Sequence, residues 1–173
     1  MHRHAGCARY GASVLLKRRV HQPVVREIPT EERLIVLEDA AELSLSSHPN
    51  SVRLVYSKEG QGLARVCAKQ LLEASLGMRP DRILLAELRG EEAYYYLRNV
   101  NSGHPGSITS VHSSSAALAF EQLTLLVKQS PAGRELLRAD IRALLEELVD
   151  VVVQCGVEAQ KRCVKEIYWR GAE

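Results

Sequence analysis

The stretch from Met78 to Ser114 constrains this chain more than any other, because it passes from strand to helix and back to strand. Ile83 to Ala86 is a short apolar run, introduced by Pro80 and broken by Glu87, Arg89 and Gly90. Such a run predicts a strand buried on both faces, the kind found in parallel sheets. Glu91 to Val100 has helical composition, with Tyr94, Tyr95 and Tyr96 for its packed faces. Ser102 to Gly106 is loop chemistry, and Ser107 to Val111 predicts a second strand ending at His112. Two strands joined by a helix lie parallel in one sheet. Glu87 and His112 are then expected at carboxyl ends of strands, the edge where open α/β sheets bind ligands.

The flanking segments extend the same pattern. Upstream, Leu34 to Leu37 predicts a strand that stops at Glu38 and Asp39, again placing carboxylates at a carboxyl end. Ser44 to Asn50 reads as a loop, Val52 to Tyr56 as a strand, and Gly60-Gln61-Gly62 as a turn. Leu63, Val66, Cys67, Leu71 and Ala74 recur at helical spacing, with Gly77 as the stop. Beyond His112, Ala116, Ala119, Phe120, Leu123, Leu126 and Val127 form one helical stripe. Ser130 to Gly133 breaks it, and Leu137, Ile141, Leu144, Leu145 and Leu148 mark a second helix. Val149 to Cys155 and Val164 to Trp169 predict two strands around a polar turn, with Cys155 and Cys163 able to face each other there. The expected fold is one α/β domain: a mainly parallel sheet, flanking helices and a C-terminal strand pair.

Composition narrows the function. With 46% apolar residues, 25% charged and a net charge of +2, the 173-residue chain is neither a disordered tail nor a polyanion-binding block. No apolar run approaches the ~20 residues of a membrane span, and the first residues lack the apolar core of a secretory signal. Four cysteines without a CxxC pair predict reduced thiols in a cytoplasmic compartment. Residues 1–26 are the odd part, and Met1 to Gly11 shows no clear periodicity. His2, His4 and Cys7 form either a metal site or, on the plainer view, flexible N-terminal residues. The basic run Lys17-Arg18-Arg19 carries no interleaved aromatics, so no nucleic-acid site is expected there.

Three segments carry a family resemblance. Arg79 to Gly90, RPDRILLAELRG, resembles the Walker B segment of the secretion traffic ATPases. Ser102 to His112, SGHPGSITSVH, resembles their histidine box, and Leu37 to Leu43, LEDAAEL, their aspartate box. The order and spacing are similar to the VirB-type ATPases of type IV secretion systems, over residues 27–173 and most clearly from Glu27 to Trp169. The resemblance implies a RecA-like domain that hydrolyses ATP with Mg²⁺. It implies a hexameric homo-oligomeric ring working with inner-membrane secretion components, on the cytoplasmic side and peripheral to the bacterial inner membrane. NTP hydrolysis needs a phosphate cradle, a hydrated Mg²⁺ and a group that orients or deprotonates water. Glu87 is the candidate for that last role and for the metal's water shell; alternatively it is a strand-end glutamate paired with Arg89. Glu38 is implied to approach the metal or the attacking water, with Asp39 either beside the nucleotide or serving the fold. His112 could donate to a terminal phosphate and report its loss, and His104 either joins it or holds its loop. Arg33, Arg53 and Arg65 are either contacts to a neighbouring subunit's phosphates or plain surface cations.

Departures from the family pattern shape the expectation. Ala86 stands where glycine is common, and Gly90 where type II members carry aspartate. No segment matches GxxxxGK[ST], whose glycines let backbone N–H groups surround phosphates. Lys17 stands where the phosphate-binding lysine belongs, but Val14 and Leu16 replace glycines and Arg18-Arg19 replace the hydroxyl pair. Bulky and β-branched residues resist the positive φ such a loop uses. Residues 1–26 are therefore expected to be a decayed loop or an out-of-phase reading frame. The chain is expected to be a truncated copy with impaired ATP binding, or a non-catalytic ring-assembly module.

Overall fold

The computed structural model describes residues 14–16, 21–57 and 66–171. Six strands run parallel: β1 (Val14–Leu16), β2 (Leu34–Glu38), β3 (Ser51–Val55), β4 (Arg82–Leu85), β5 (Ile108–Thr109) and β6 (Val151–Glu158). β7 (Lys161–Trp169) returns antiparallel to β6. The order across the sheet is β3-β2-β4-β5-β1-β6-β7. The helices are α1 (His21–Val25), α2 (Ala68–Leu76), α3 (Glu92–Asn101), α4 (Ala116–Val127), α5 (Pro131–Arg134) and α6 (Arg138–Leu148). This is the expected mainly parallel sheet with flanking helices and a C-terminal strand pair.

Period-two alternation sends the side chains of the central strands β2 and β4 into two cores. Ile35 and Leu37 of β2 join Ile83 and Leu85 of β4 in a large cluster with α2, α3, α4 and α6. Leu34 and Val36 point the other way, joining Leu84, Ile108, Val151 and Val25 of α1. Both faces of the central strands are therefore dry, which is why β2 and β4 read as unbroken apolar runs rather than alternating ones. Ile83 lies fully buried between β2 and β5. Ile83→Val removes one methylene there and is expected to cost about 1 kcal/mol in chemical denaturation. A change below about 0.3 kcal/mol would mean this layer is loosely packed.

Several local expectations shift on folding. The helix expected to include Leu63, Val66 and Cys67 begins at Ala68, because Cys67 is extended (φ −89°, ψ 163°) and caps it. Its buried residues are Ala68, Leu72 and Ser75, so Ala74 faces solvent. Leu137 caps α6 and is exposed rather than packed. The final strands are longer than expected and meet at a two-residue turn, Ala159 and Gln160, both with positive φ. Neither residue is glycine or asparagine, so the usual sequence signal of a tight hairpin is missing. Cys155 pairs with Val164 and Cys163 with Gly156, which sends the two thiols to opposite faces of the hairpin. They do not face each other. Two elements, β1 and α1, lie within residues 1–26. Pro23 falls in the first turn of α1, where a missing N–H costs nothing. Lys17, Arg65, the 60–62 turn and the His2, His4, Cys7 group lie outside the described residues.

Candidate functional site

β4 and β5 continue to pair beyond their strand ends, and that pairing builds the site. Leu88 N–H donates to Ser110 O at 2.8 Å, and Ser110 Oγ donates to Ala86 O at 2.6 Å. On the other side Ala86 N–H donates to Leu37 O at 2.9 Å. Glu87 and His112 are thereby set side by side at the carboxyl edge. His112 Nε2 stands 2.7 Å from Glu87 Oε1, with 85% of the imidazole exposed and only 7% of the Glu87 side chain. The second oxygen, Oε2, is ion-paired with Arg89 Nη2. The pairing holds the Arg89 guanidinium even more firmly protonated than usual, chiefly through the hydrogen bond it donates to Glu87. Glu87 Oε1 is buried yet accepts no aligned hydrogen bond. A buried carboxylate oxygen with lone pairs to spare suits a water molecule or the hydration shell of Mg²⁺.

Arg89 is fixed from below. Glu92 Oε1 accepts from the backbone N–H of Arg89 and, at 2.8 Å, of Gly90, holding the turn that leads into α3. A cleft of about 350 Å³ opens beside Glu87, lined by Tyr56, Cys67, Lys69, Arg89 and Glu91 among others. Lys69 lies 4.6 Å from the ring centre of Tyr95, and its ammonium is held protonated chiefly by its hydrogen bond with Tyr95. The sequence pattern carried no sign of Lys69 in this wall, since its place depends on how α2 packs on α3.

Glu38 is differently engaged. It ends β2 and is almost fully buried, and its Oε1 accepts from Glu42 N–H at 3.1 Å and Leu43 N–H at 3.0 Å. Arg53 Nε stands 3.0 Å from Oε2, while Arg53 Nη2 donates to Leu43 O. Glu38 follows Leu34 and Val36 in the alternation, toward the smaller core that includes Leu43. Glu87 lies past the end of β4, where the alternation stops, and it lines the cleft with Cys67, Ala68 and Lys69 at the start of α2. The two carboxylates therefore meet different surroundings at the same edge. Asp39 is the half-buried residue next along that edge, and it is engaged by other groups.

His104 lies elsewhere. It precedes β5, so it sits at the amino edge of the sheet, across from His112. Its carbonyl accepts from Ser107 Oγ at 2.8 Å, and that hydroxyl in turn accepts from Ile83 N–H at 3.0 Å. Arg82, buried in the same region, donates to Glu32 and to Gly106 O. Arg33 is likewise occupied there, donating to Met78 O at 2.8 Å. The structure thus brings Glu87, His112 and Arg89 together, sets Glu38 with Arg53 on the neighbouring strands, and leaves His104 at the far edge.

Comparison with known proteins agrees with this architecture. The profile of the family described as Type II/IV secretion system protein matches residues 10–170. The chain is 54% identical over 153 residues to the type IV secretion system protein VirB11 of Bartonella henselae, covering 88% of this chain and 43% of that protein. It is 47% identical over 137 residues to protein VirB11 of Agrobacterium fabrum, covering 79% and 40%. The fold matches the crystal structure of the VirB11 ATPase from the Brucella suis type IV secretion system in complex with sulphate. That match has a TM-score of 0.89 and 39% identity, over 96% of this chain and 50% of the other. The chain therefore spans less than half the length of the curated relatives it matches.

Proposed function

This chain belongs to the Type II/IV secretion system protein family, and from that premise we propose that it is part of the ATPase domain of a type IV secretion motor. The observation that carries this is Glu87. It is a buried carboxylate at the carboxyl edge, with one oxygen left without an aligned hydrogen bond and flanked by Arg89 and His112. Glu87 would orient or deprotonate water, and Arg89 would hold its carboxylate in place. His112 would donate to a terminal phosphate and register its loss. ATP with Mg²⁺, when bound, supplies the transferable phosphoryl group and neutralises its charge; Glu87 would hold the metal through water. Glu38 fits a direct metal role less well, because a guanidinium already stands against one of its oxygens. Membership of a hexameric ring, contact with inner-membrane components and transfer of protein or DNA are further parts of this proposal. No helix among the described residues is long and apolar enough to cross a membrane.

A second reading rests on the sequence of residues 11–19, where Gly11, Ala12 and Lys17 suit GxxxxGK[ST] but Leu16 falls at its second glycine and Arg18 at its hydroxyl. On it the chain is a ring-assembly or blocking module with little turnover of its own. Val14–Leu16 is a strand between β5 and β6 rather than a loop, so Val14 and Leu16 do not stand as replaced loop glycines, and a phosphate loop would have to follow Leu16. An out-of-phase frame remains the alternative origin of residues 1–26, with 27–173 as the secretion ATPase domain. Equilibrium binding of a fluorescent ATP analogue, with phosphate release measured in parallel, tests the proposal. The expected affinity is weaker than about 1 mM, less than about 4 kcal/mol of binding energy, with negligible turnover. Micromolar binding and steady hydrolysis would show that residues 11–19 form a working phosphate site.

A further inference from the structure

His112 poses a positioning problem. With 85% of its side chain open to solvent, packing does little to keep its Nε2 at 2.7 Å from Glu87. Its place must come from the backbone on either side. The preceding residues are tied to β4 through Ser110, as described above. The following residue is tied from the other direction. Gln154 Nε2 donates to Ser113 O at 3.0 Å, and Ser113 Oγ donates to Gln154 Oε1 at 3.4 Å.

Gln154 is only 6% exposed, and a buried amide is costly unless its donors and acceptor are used. It belongs to β6, which is separated from β5 by β1. Val153 pairs with Leu16, the last residue of β1, so Gln154 stands one position past the end of that strand. From there it spans the β1 end and meets the loop that carries His112. Ser115 and Ala116 are anchored as well: Ser115 Oγ caps α4 by accepting from Leu118 N–H, and Glu166 of β7 accepts from Ala116 N–H at 2.9 Å. The hairpin β6–β7 thus grips the segment from Ser113 to Ala116 while β4 grips Ser110.

We infer that Gln154 is a positioning residue for His112, clasping Ser113 from beyond the end of β1 so that the imidazole rests against Glu87. This deepens the proposed function, since it rests on Glu87 and His112 as the working pair. It also ties their contact to the strand from which a nucleotide loop would spring. The contact itself can be read without hydrolysis.

The test uses the isotopically labelled 173-residue chain, with the His112 ring resonances assigned by their loss in His112→Ala. Glu87→Gln defines where those resonances move when the contact is altered. Gln154→Met, close in size but unable to make either hydrogen bond, should move them most of the way to those positions. Val152→Ala loosens the core of β6 without touching Ser113 and should leave them in place. Unmoved resonances in folded Gln154→Met, or equal movement in Val152→Ala, would overturn the inference. So would resonances insensitive to Glu87→Gln. Should Gln154→Met not fold, Gln154→Asn, whose amide falls short of Ser113, must still displace the signals; if it does not, the inference fails. Hydrolysis unaffected by Glu87→Gln in a version of the chain that carries GxxxxGK[ST] would defeat the proposed function while leaving this positional result standing.

Discussion

Glu87→Gln, introduced into a version of this chain rebuilt to carry GxxxxGK[ST] after Leu16, the end of β1, is expected to keep ATP binding and lower hydrolysis by at least ~100-fold. Glutamine has nearly the same shape, and its amide oxygen can still accept from Arg89 where Glu87 Oε2 now does. The fold at the β4 end is held by backbone bonds of Ala86 and Leu88, which the substitution leaves alone. What disappears is the negative charge at Oε1, the oxygen with no aligned hydrogen bond. An amide is a far poorer base than a carboxylate and does not attract the water shell of a cation. Single-turnover phosphate release, alongside a binding isotherm, separates the two effects. Hydrolysis within about threefold of the rebuilt parent would remove Glu87 from the chemistry.

Glu38→Ala should damage the fold instead. The carboxylate accepts from two backbone N–H groups and stands against Arg53, which also bonds the Leu43 carbonyl. Truncation leaves those N–H groups without their acceptor and Arg53 without its counter-charge. Removing one partner of a fully buried pair costs about 3–5 kcal/mol. Arg53 keeps 34% of its side chain in solvent, so water recovers part of that loss. A destabilisation of roughly 3 kcal/mol is expected in urea or guanidinium unfolding, with the m-value unchanged. A cost under about 1 kcal/mol, together with lost Mg²⁺ dependence of hydrolysis in the rebuilt chain, would return Glu38 to the metal.

These two glutamates show how far a linear pattern reaches. Both stop an apolar strand and both sit in a box resembling that of the secretion ATPases, so the chain alone treats them alike. Their difference lies in what packs around each. Glu38 is held by the Leu43 N–H and Arg53, whereas Glu87, past the end of β4, opens on the cleft beside Lys69 and Arg89. Which face meets which helix is settled by packing between segments distant in sequence. Arg89 could be named as a partner of Glu87 because it lies two residues away. Arg53 could not be named for Glu38, because β2 and β3 first had to pair in register, Glu38 opposite Val55.

His104 and His112 divide in the same way. Eight residues and one short strand separate them, and a box motif places them together; a strand between them necessarily puts them at opposite edges of the sheet. The chain by itself determined the parallel α/β architecture, because unbroken apolar runs separated by helices can be buried only inside a sheet covered on both faces. It also determined that Glu87 and His112 share the carboxyl edge, since a helix crossover leaves no other arrangement. Only the tertiary structure decided which groups neutralise each carboxylate and which strand stands beside the His112 loop. Those are contacts across the sheet, and strand order is set by the summed fit of many side chains rather than by any local signal. Gln154 is the clearest case: nothing near it in sequence marks it, and its role exists only because β6 lies next to β1.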